Sequence, residues 1–274
     1  MTGAVAADGA APAAVDPDDL AARLVAVAAG DGSGPLLLLD HDGTLSPLAP
    51  TPDAAGLPGA TRAALADVAG RTAVAIVSGR GLDDLVARLG DLPVTLVSEH
   101  GLRARHPDGT VETLAAAVDP AVLLRLRADL AALLGDEAGW LVEDKGVGLA
   151  VHHRLVAPEA VAALLPRVRA LVGAAAGAGG GTVQDGHAVL ELRAAGADKG
   201  AALRHLAAAH PGRTVVMVGD DRTDEPALAA AEDLGGIGVL VAAEPRPSAA
   251  SVRLRDPAEV TAVLAAVATG LSRE

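Results

Sequence analysis

Residues 35–44 read Pro-Leu-Leu-Leu-Leu-Asp-His-Asp-Gly-Thr, and the fold follows from this stretch. Four consecutive leucines without a polar interruption suit a strand buried on both faces, as parallel strands under helices are. The run ends on two carboxylates, Asp40 and Asp42, spaced i, i+2. Open parallel sheets bind ligands beyond the carboxyl ends of their strands, so this strand delivers acid to a binding edge.

Working outward, the same apolar pattern recurs at residues 72–77 (TAVAIV), 94–97 (VTLV), 214–218 (TVVMV) and 237–241 (IGVLV). Helical patterns lie near 17–29, 59–69, 81–89, 199–210, 223–234 and 257–268. This alternation predicts an α/β fold with a doubly wound, mostly parallel, Rossmann-like core sheet. The middle of the chain breaks the pattern. Asp119-Pro120 reads as an N-cap and first-turn proline opening a helix to about residue 134, and a second helix starts at Pro158. Residues 173–181 read as a flexible Ala/Gly loop, and Asp185-Gly186 as a hairpin turn. Beyond the turn, Leu190 and Leu192 alternate with Glu191 and Arg193 as a half-buried strand. The expected division is a disordered leader over 1–16, a core domain over 17–103 and 189–274, and an inserted, smaller α+β cap domain over 104–188.

Composition narrows the function. The 274 residues carry a net charge of −13 with pI near 5.0, which argues against nucleic acid or an anionic membrane as partner. Hydrophobic residues make up 51%, yet Phe, Tyr and Cys are absent, so the core must be built from aliphatics. Without cysteine there is no disulfide, thiolate zinc site or thiol nucleophile. The first sixteen residues lack the basic start of a signal peptide. No stretch reads as apolar and long enough to cross a bilayer. A cytoplasmic monomer acting on a small molecule is the expectation. Lysine occurs only at Lys145 and Lys199, each within Asp-Lys-Gly, while the other basic residues are arginine. Such positions suggest a need for a compact ammonium that a guanidinium fork would not meet.

The strand ends gather chemistry. They carry Asp40-His41-Asp42-Gly43-Thr44, Ser78-Gly79-Arg80, Ser98-Glu99-His100-Gly101 and Gly219-Asp220-Asp221-Arg222-Thr223-Asp224-Glu225, and Lys199 opens the helix before the last. Carboxylates from two strand ends suit Mg²⁺, which prefers a few carboxylates together with water and phosphate oxygens. One carboxylate can attack phosphorus while its neighbour handles the leaving-group proton. Ser78 can donate to a phosphoryl oxygen and Lys199 can neutralise its charge. Singly, these residues have plainer readings as solvated turns and helix caps. In order at successive strand ends, they point to phosphoryl transfer.

The same residues resemble the four motifs of the haloacid dehalogenase superfamily phosphatases. Longer strings narrow the resemblance to the trehalose-6-phosphate phosphatase family: DGTLSPL at 42–48, SGR at 78–80, SEHG at 98–101, VEDKG at 142–146, VHHR at 151–154, VLELR at 189–193, DKG at 198–200 and GDDRTDE at 219–225. The resemblance runs from about residue 36 to residue 241. It implies hydrolysis of trehalose 6-phosphate to trehalose and phosphate, with Mg²⁺ as cofactor. Asp40 would be the nucleophile and a metal ligand. Asp42 would be general acid and then base, binding metal through its backbone carbonyl. Asp220 would complete the metal ligands, with Asp221 and Asp224 in support, and Ser78 and Lys199 would hold phosphate. In the cap, Glu143, Lys145 and Glu191 match residues that hydrogen-bond sugar hydroxyls, and Arg154 and Arg80 match cations facing the phosphate. His41, His153, Pro226 and Leu228 depart from the family's usual residues. Two alternatives stay open: a related capped phosphatase for sucrose phosphate, a mannosyl phosphate or a hexose phosphate, or a catalytically silent trehalose-phosphate sensor. Trp140 reads as a hydrophobic anchor, His100 as orienting its loop, and His152 and His153 as facing opposite ways.

Overall fold

The four leucines alternate between two separate cores, which is why all four are buried. The structure is a computed structural model and describes residues 10–28, 34–48, 56–186 and 188–271. The chain divides into two compact units, Met1–Leu114 with Asp198–Glu274, and Ala115–Ala197.

In chain order the first unit runs β1 (Ala13–Ala14), α1 (Pro17–Ala28), β2 (Leu36–Leu39), α2 (Gly59–Ala69), β3 (Val74–Val77), α3 (Leu82–Leu89), β4 (Thr95–Ser98), β5 (Arg103–Arg105) and β6 (Val111–Thr113). The second unit supplies α4 (Pro120–Leu134), β7 (Leu141–Asp144), β8 (Leu149–His152), α5 (Pro158–Gly179), β9 (Gly181–Gly186) and β10 (Val189–Ala194). The first unit then closes with α6 (Lys199–Ala209), β11 (Val215–Gly219), α7 (Glu225–Asp233), β12 (Ile237–Val241), β13 (Val252–Leu254) and α8 (Pro257–Gly270).

Among the described residues, nine strands form the first sheet in the order β1-β13-β12-β11-β2-β3-β4-β5-β6. Strands β1 to β4 in that order are parallel, and β5 and β6 add antiparallel at the edge. Leu37 and Leu39 join Val74, Ile76, Val216 and Val218 on the face covered by α1, α2, α3 and α8. Leu36 and Leu38 join Ala75, Val77 and Met217 on the face covered by α6 and α7. From β2 the chain proceeds one way through β3 and β4, and returns on the other side through β11, β12 and β13. The carboxyl ends of β2 and β11 therefore flank the topological switch point.

The second unit is a four-stranded antiparallel sheet, β7-β8-β10-β9. Leu149, Val151, Leu190 and Leu192 are buried on one face, and α5 packs along β9, β10 and α4. Asp119 caps α4 by accepting from the Ala121 N–H at 2.8 Å, with Pro120 in the first turn.

Several expectations need correction. The division at 104–188 differs from the observed units at both ends. Residues 104–114 belong to the first unit because β5 pairs with β4 and β6 with β5, and residues 189–197 belong to the second because β10 pairs with β8 and β9. Residues 1–9 of the expected leader lie outside the described residues, but Ala13 and Ala14 pair in parallel with Val252 and Arg253. Residues 173–179 are helix, not loop; alanine's helix propensity outweighs the scattered glycines. Gly180 ends the helix at φ +72. Asp185 and Gly186 stay within the β9 ladder, opposite Leu190 and Val189 of β10. At 22 residues, α5 is long and apolar enough to cross a bilayer by length and composition, contrary to the sequence reading; its Val168, Val172, Ala175 and Ala176 are buried within the unit.

Leu38 is fully buried at 0% exposure in a core shared with residues of β3, β11, α6 and α7. Leu38→Ala should cost about 2–5 kcal/mol, since a close-packed aliphatic core leaves a cavity on truncation. Urea unfolding followed by circular dichroism should show a lower midpoint; a midpoint equal to wild type would mean that the core relaxes around the loss.

Candidate active site

Asp198 starts α6, its carboxylate accepting from the Ala201 N–H at 2.9 Å, and so aims the following Lys199 from a fixed helix end. Lys199 is 2% exposed, and its Nζ donates to Asp40 Oδ1 and Asp224 Oδ1, each at 2.5 Å. The other oxygen of Asp224 accepts from the backbone N–H of Asp220 at 3.0 Å and of Asp221 at 2.9 Å. One buried carboxylate thereby shapes the loop after β11 and orients the lysine. Asp40 sits at the end of β2, where its N–H donates to the Val218 carbonyl of β11 at 2.9 Å. That bond fixes the spacing of the two acidic strand ends.

Past Asp40 the chain turns tightly. The N–H groups of Leu45 and Ser46 both donate to the His41 carbonyl at 3.0 Å. Gly43 has φ +90, and a Cβ there would overlap the Asp220 carboxylate, so only glycine lets the two acidic loops approach. Thr44 Oγ1 donates to Asp220 Oδ1 at 3.0 Å. Asp42 meets Arg80 through a bidentate pair, Nε to Oδ2 and Nη2 to Oδ1, both 2.7 Å. Buried His41 sets its Nδ1 3.3 Å from Asp42 Oδ1. Arg80 also donates to Asp84, and Asp84 receives Arg88, both at 2.7 Å. Arg80, expected from the resemblance to face a phosphate, is held here by two carboxylates of its own unit.

Ser78 is buried at the end of β3, and its Oγ accepts from the Arg80 N–H at 3.2 Å. Beside it, Glu99 and His100 take left-handed conformations at φ +47 and +58, uncommon for such residues. In that conformation their N–H groups donate to the carbonyls of Arg80 and Ser78, both at 2.9 Å. Glu99 also caps α3 by accepting from the Leu82 N–H at 3.1 Å. The His100 ring fills the space where a Gly79 side chain would lie. The third strand end thus clamps the second, in keeping with the orienting part read for His100.

The charges are unevenly matched. Burial works against the Lys199 cation, but Asp224 and Asp40 outweigh it and hold the lysine protonated. Burial pushes the Asp40 carboxyl well above the carboxylate range despite Lys199, and Asp224 and Asp220 push the same way. Asp220 is raised to about 6, by burial first and then by Asp224. Burial would also raise Asp42, but the bonds from His41 and Arg80 hold it well below the usual range. Such a cluster is short of positive charge, the condition a divalent cation relieves. Oxygens of Asp40, Asp220 and Asp224 lie within 4.8 Å of one another. Since Lys199 and two backbone N–H groups occupy both Asp224 oxygens, Asp40 and Asp220 are the residues open to a cation. An all-oxygen donor set of this kind fits Mg²⁺. Asp221 is exposed, and its carboxylate accepts from the adjacent Arg222 N–H at 2.6 Å.

In the second unit, Glu143, Ala150 and Glu191 stand opposite one another across β7, β8 and β10, so both carboxylates share one face. Lys145 Nζ donates to Glu191 Oε1 at 2.5 Å and Arg193 Nε to Glu191 Oε2 at 2.7 Å. Burial would raise the Glu191 carboxyl, but these two cations hold it below its ordinary value. Glu143 pairs with His152 at 2.8 Å. His153 lies just past the end of β8, outside the strand in which the pair was read, and meets Trp140 with ring centroids 5.8 Å apart. Arg154 is exposed in the turn after β8. Sequence reading missed Arg193 and His152 as partners, although each lies two strand positions from a residue on that face.

Residues 38–258 match the trehalose-phosphatase family. A probable trehalose-phosphate phosphatase of Sinorhizobium fredii is 37% identical over 210 residues, covering 75% of this chain and 77% of that protein. A longer Mycobacterium tuberculosis protein, described as an uncharacterized glycosyl hydrolase, is 38% identical over 88% of this chain, which spans only 19% of its length. The solved structure of Aspergillus fumigatus trehalose-6-phosphate phosphatase superposes with a TM-score of 0.70 at 27% identity, over 94% of this chain and 99% of that one. With the motif residues at the switch point of an α/β sheet, the chain belongs to the trehalose-phosphatase family, phosphoric monoester hydrolases.

Proposed function

We propose that the chain is a Mg²⁺-dependent phosphatase that hydrolyses trehalose 6-phosphate to trehalose and phosphate. The observation that carries this reading is Lys199, buried and bonded at 2.5 Å to both Asp40 and Asp224 beside the carboxylate of Asp220. Asp40 attacks phosphorus, the bond from phosphorus to the sugar oxygen breaks, and an aspartyl-phosphate forms. Asp42 gives its proton to the departing sugar oxygen. It then takes a proton from the water that attacks the aspartyl-phosphate, which frees phosphate and regenerates Asp40. In the grip of Arg80, Asp42 is an ionised base; once that pair opens it takes up a proton from solvent and enters the first step as the acid. Ser78 donates to a phosphoryl oxygen, and Lys199 holds the nucleophile in line while offsetting phosphoryl charge. Mg²⁺, held by Asp40, Asp220 and the Asp42 backbone carbonyl, with Asp221 and Asp224 in support, would supply further charge neutralisation on the phosphate.

In the same reading, Glu143, Lys145 and Glu191 hydrogen-bond the sugar hydroxyls, and Arg154 meets the phosphate end of the substrate. The shared face of Glu143 and Glu191 supports a polyhydroxylated ligand, because fixed charged groups bond hydroxyls strongly. Family membership supports trehalose as the sugar. The enzyme works in the cytoplasm as a monomer, without nucleic acid or membrane.

Asp40→Asn should abolish phosphate release with the circular dichroism spectrum unchanged, because an amide cannot attack phosphorus. EDTA should silence the wild type and Mg²⁺ should restore it; full turnover in metal-free buffer would refute the mechanism.

Lys199→Arg should lower kcat at least about a hundredfold, as loss of one electrostatic stabiliser does. A planar fork cannot occupy the point between Asp40 and Asp224 where the ammonium now bonds both. A rate near wild type would remove Lys199 from the site.

Glu143→Ala and Lys145→Ala should each lower kcat/KM for trehalose 6-phosphate by about tenfold or more, roughly 1.4 kcal/mol. A small aryl phosphate offers no sugar to recognise and should be hydrolysed equally by variants and wild type. Equal losses on both substrates would assign these residues to the chemistry or the fold, and no loss on either would overturn the trehalose reading.

A further inference from the structure

The last residue of the acidic stretch 219–225 has no part in the chemistry above. Glu225 opens α7 yet is only 6% exposed, and a carboxylate so buried is unfavourable unless its oxygens are bonded. Both are. Oε1 accepts from Arg246 Nη1 at 2.7 Å, and Oε2 accepts from Ser248 Oγ at 3.0 Å and from the Ala249 N–H at 2.8 Å. The same guanidinium reaches further: Arg246 Nη2 donates to the backbone carbonyl of Asp220 at 2.8 Å. One planar fork therefore spans the two ends of the loop, a span that a single ammonium cannot reproduce.

Asp220 is consequently fixed on both sides of its Cα. Its N–H goes to Asp224, its carbonyl to Arg246, and its side chain accepts from Thr44. The carboxylate that stands open to a cation is aimed by these bonds without help from the cation.

We propose that Arg246, seated on Glu225, is a positioning residue that holds the Asp220 backbone so that its carboxylate is preorganised for the divalent cation. This rests on the cation reading above. Without Arg246 the cation itself must order the loop, so affinity falls. Once the cation is bound the geometry is restored, and kcat recovers.

The test uses the full chain, stripped of metal, as wild type, Arg246→Ala and Arg246→Lys. Each is titrated with MgCl₂ by calorimetry, assayed for kcat against Mg²⁺ concentration, and followed by amide hydrogen exchange over residues 219–225 without metal. In Arg246→Ala the Mg²⁺ Kd should rise about tenfold or more, the usual effect of removing a group that orients a metal ligand. Its kcat at saturating Mg²⁺ should approach wild type, and exchange over 219–225 should quicken. Arg246→Lys should fall between the two, because its ammonium satisfies one acceptor. An unchanged Kd in folded Arg246→Ala would overturn the proposal, as would a kcat deficit that persists at saturating Mg²⁺ with unchanged Kd. If Arg246→Ala fails to fold, an unchanged Kd in Arg246→Lys overturns it equally. If the wild type binds no Mg²⁺, the cation reading falls, and exchange in the metal-free proteins decides the brace: equal rates in variants and wild type overturn it.

Discussion

The ammonium of Lys199 cannot remain charged inside a protein unless its partners replace the water it has lost, and this constraint organises the first unit. Asp40 and Asp224 meet the need, so β2, α6 and the loop before α7 must converge on one point. Removing one partner of such a pair leaves an uncompensated buried charge and typically costs about 3–5 kcal/mol, whereas an exposed ion pair contributes at most about 1 kcal/mol. The many arginine pairs on the helices are therefore minor beside this one. Asp224 extends the constraint by using its second oxygen to fold the loop that carries Asp220.

Around that centre each acidic group is held by a residue from another strand end. Thr44 and Arg246 hold Asp220, Arg80 and His41 hold Asp42, and Glu99 and His100 hold the backbone of residues 78–80. Groups fixed before a ligand arrives need no reordering afterwards, and phosphoryl transfer depends largely on positioning and charge stabilisation. The left-handed backbone at Glu99 and His100 is conformational strain at such a place, offset by the bonds those N–H groups make.

The second unit solves a different problem. Its sheet buries aliphatics on one face and keeps a row of charged groups on the other, with Glu191 drawn below its ordinary pKa by Lys145 and Arg193. Lys145 and Lys199 both end within 2.5 Å of a carboxylate, one in each unit, although every other cation of the chain is arginine. A small ammonium can sit at a point shared by several oxygens, where a guanidinium demands a plane.

The sequence alone determined the five buried strands of the core sheet and the helices between them. Periodicity reports burial, and burial of a strand on both faces reports a covered parallel sheet; the strand order that puts β2 beside β11 at the switch point came only with the fold. Asp40, Asp42, Ser78, Lys199 and Asp220 were legible because each lies directly at a strand or helix end. Partner choice was not. Lys199 and Asp40 are 159 residues apart, and nothing local shows that Arg80 meets Asp42 or that Arg246 meets Glu225. Likewise the helical state of residues 173–179 and the membership of 104–114 in the first sheet depend on what each segment packs against. Hydrophobic pattern encodes which side chains leave water; only the folded chain decides which charged groups meet, because those contacts join residues that no local rule connects.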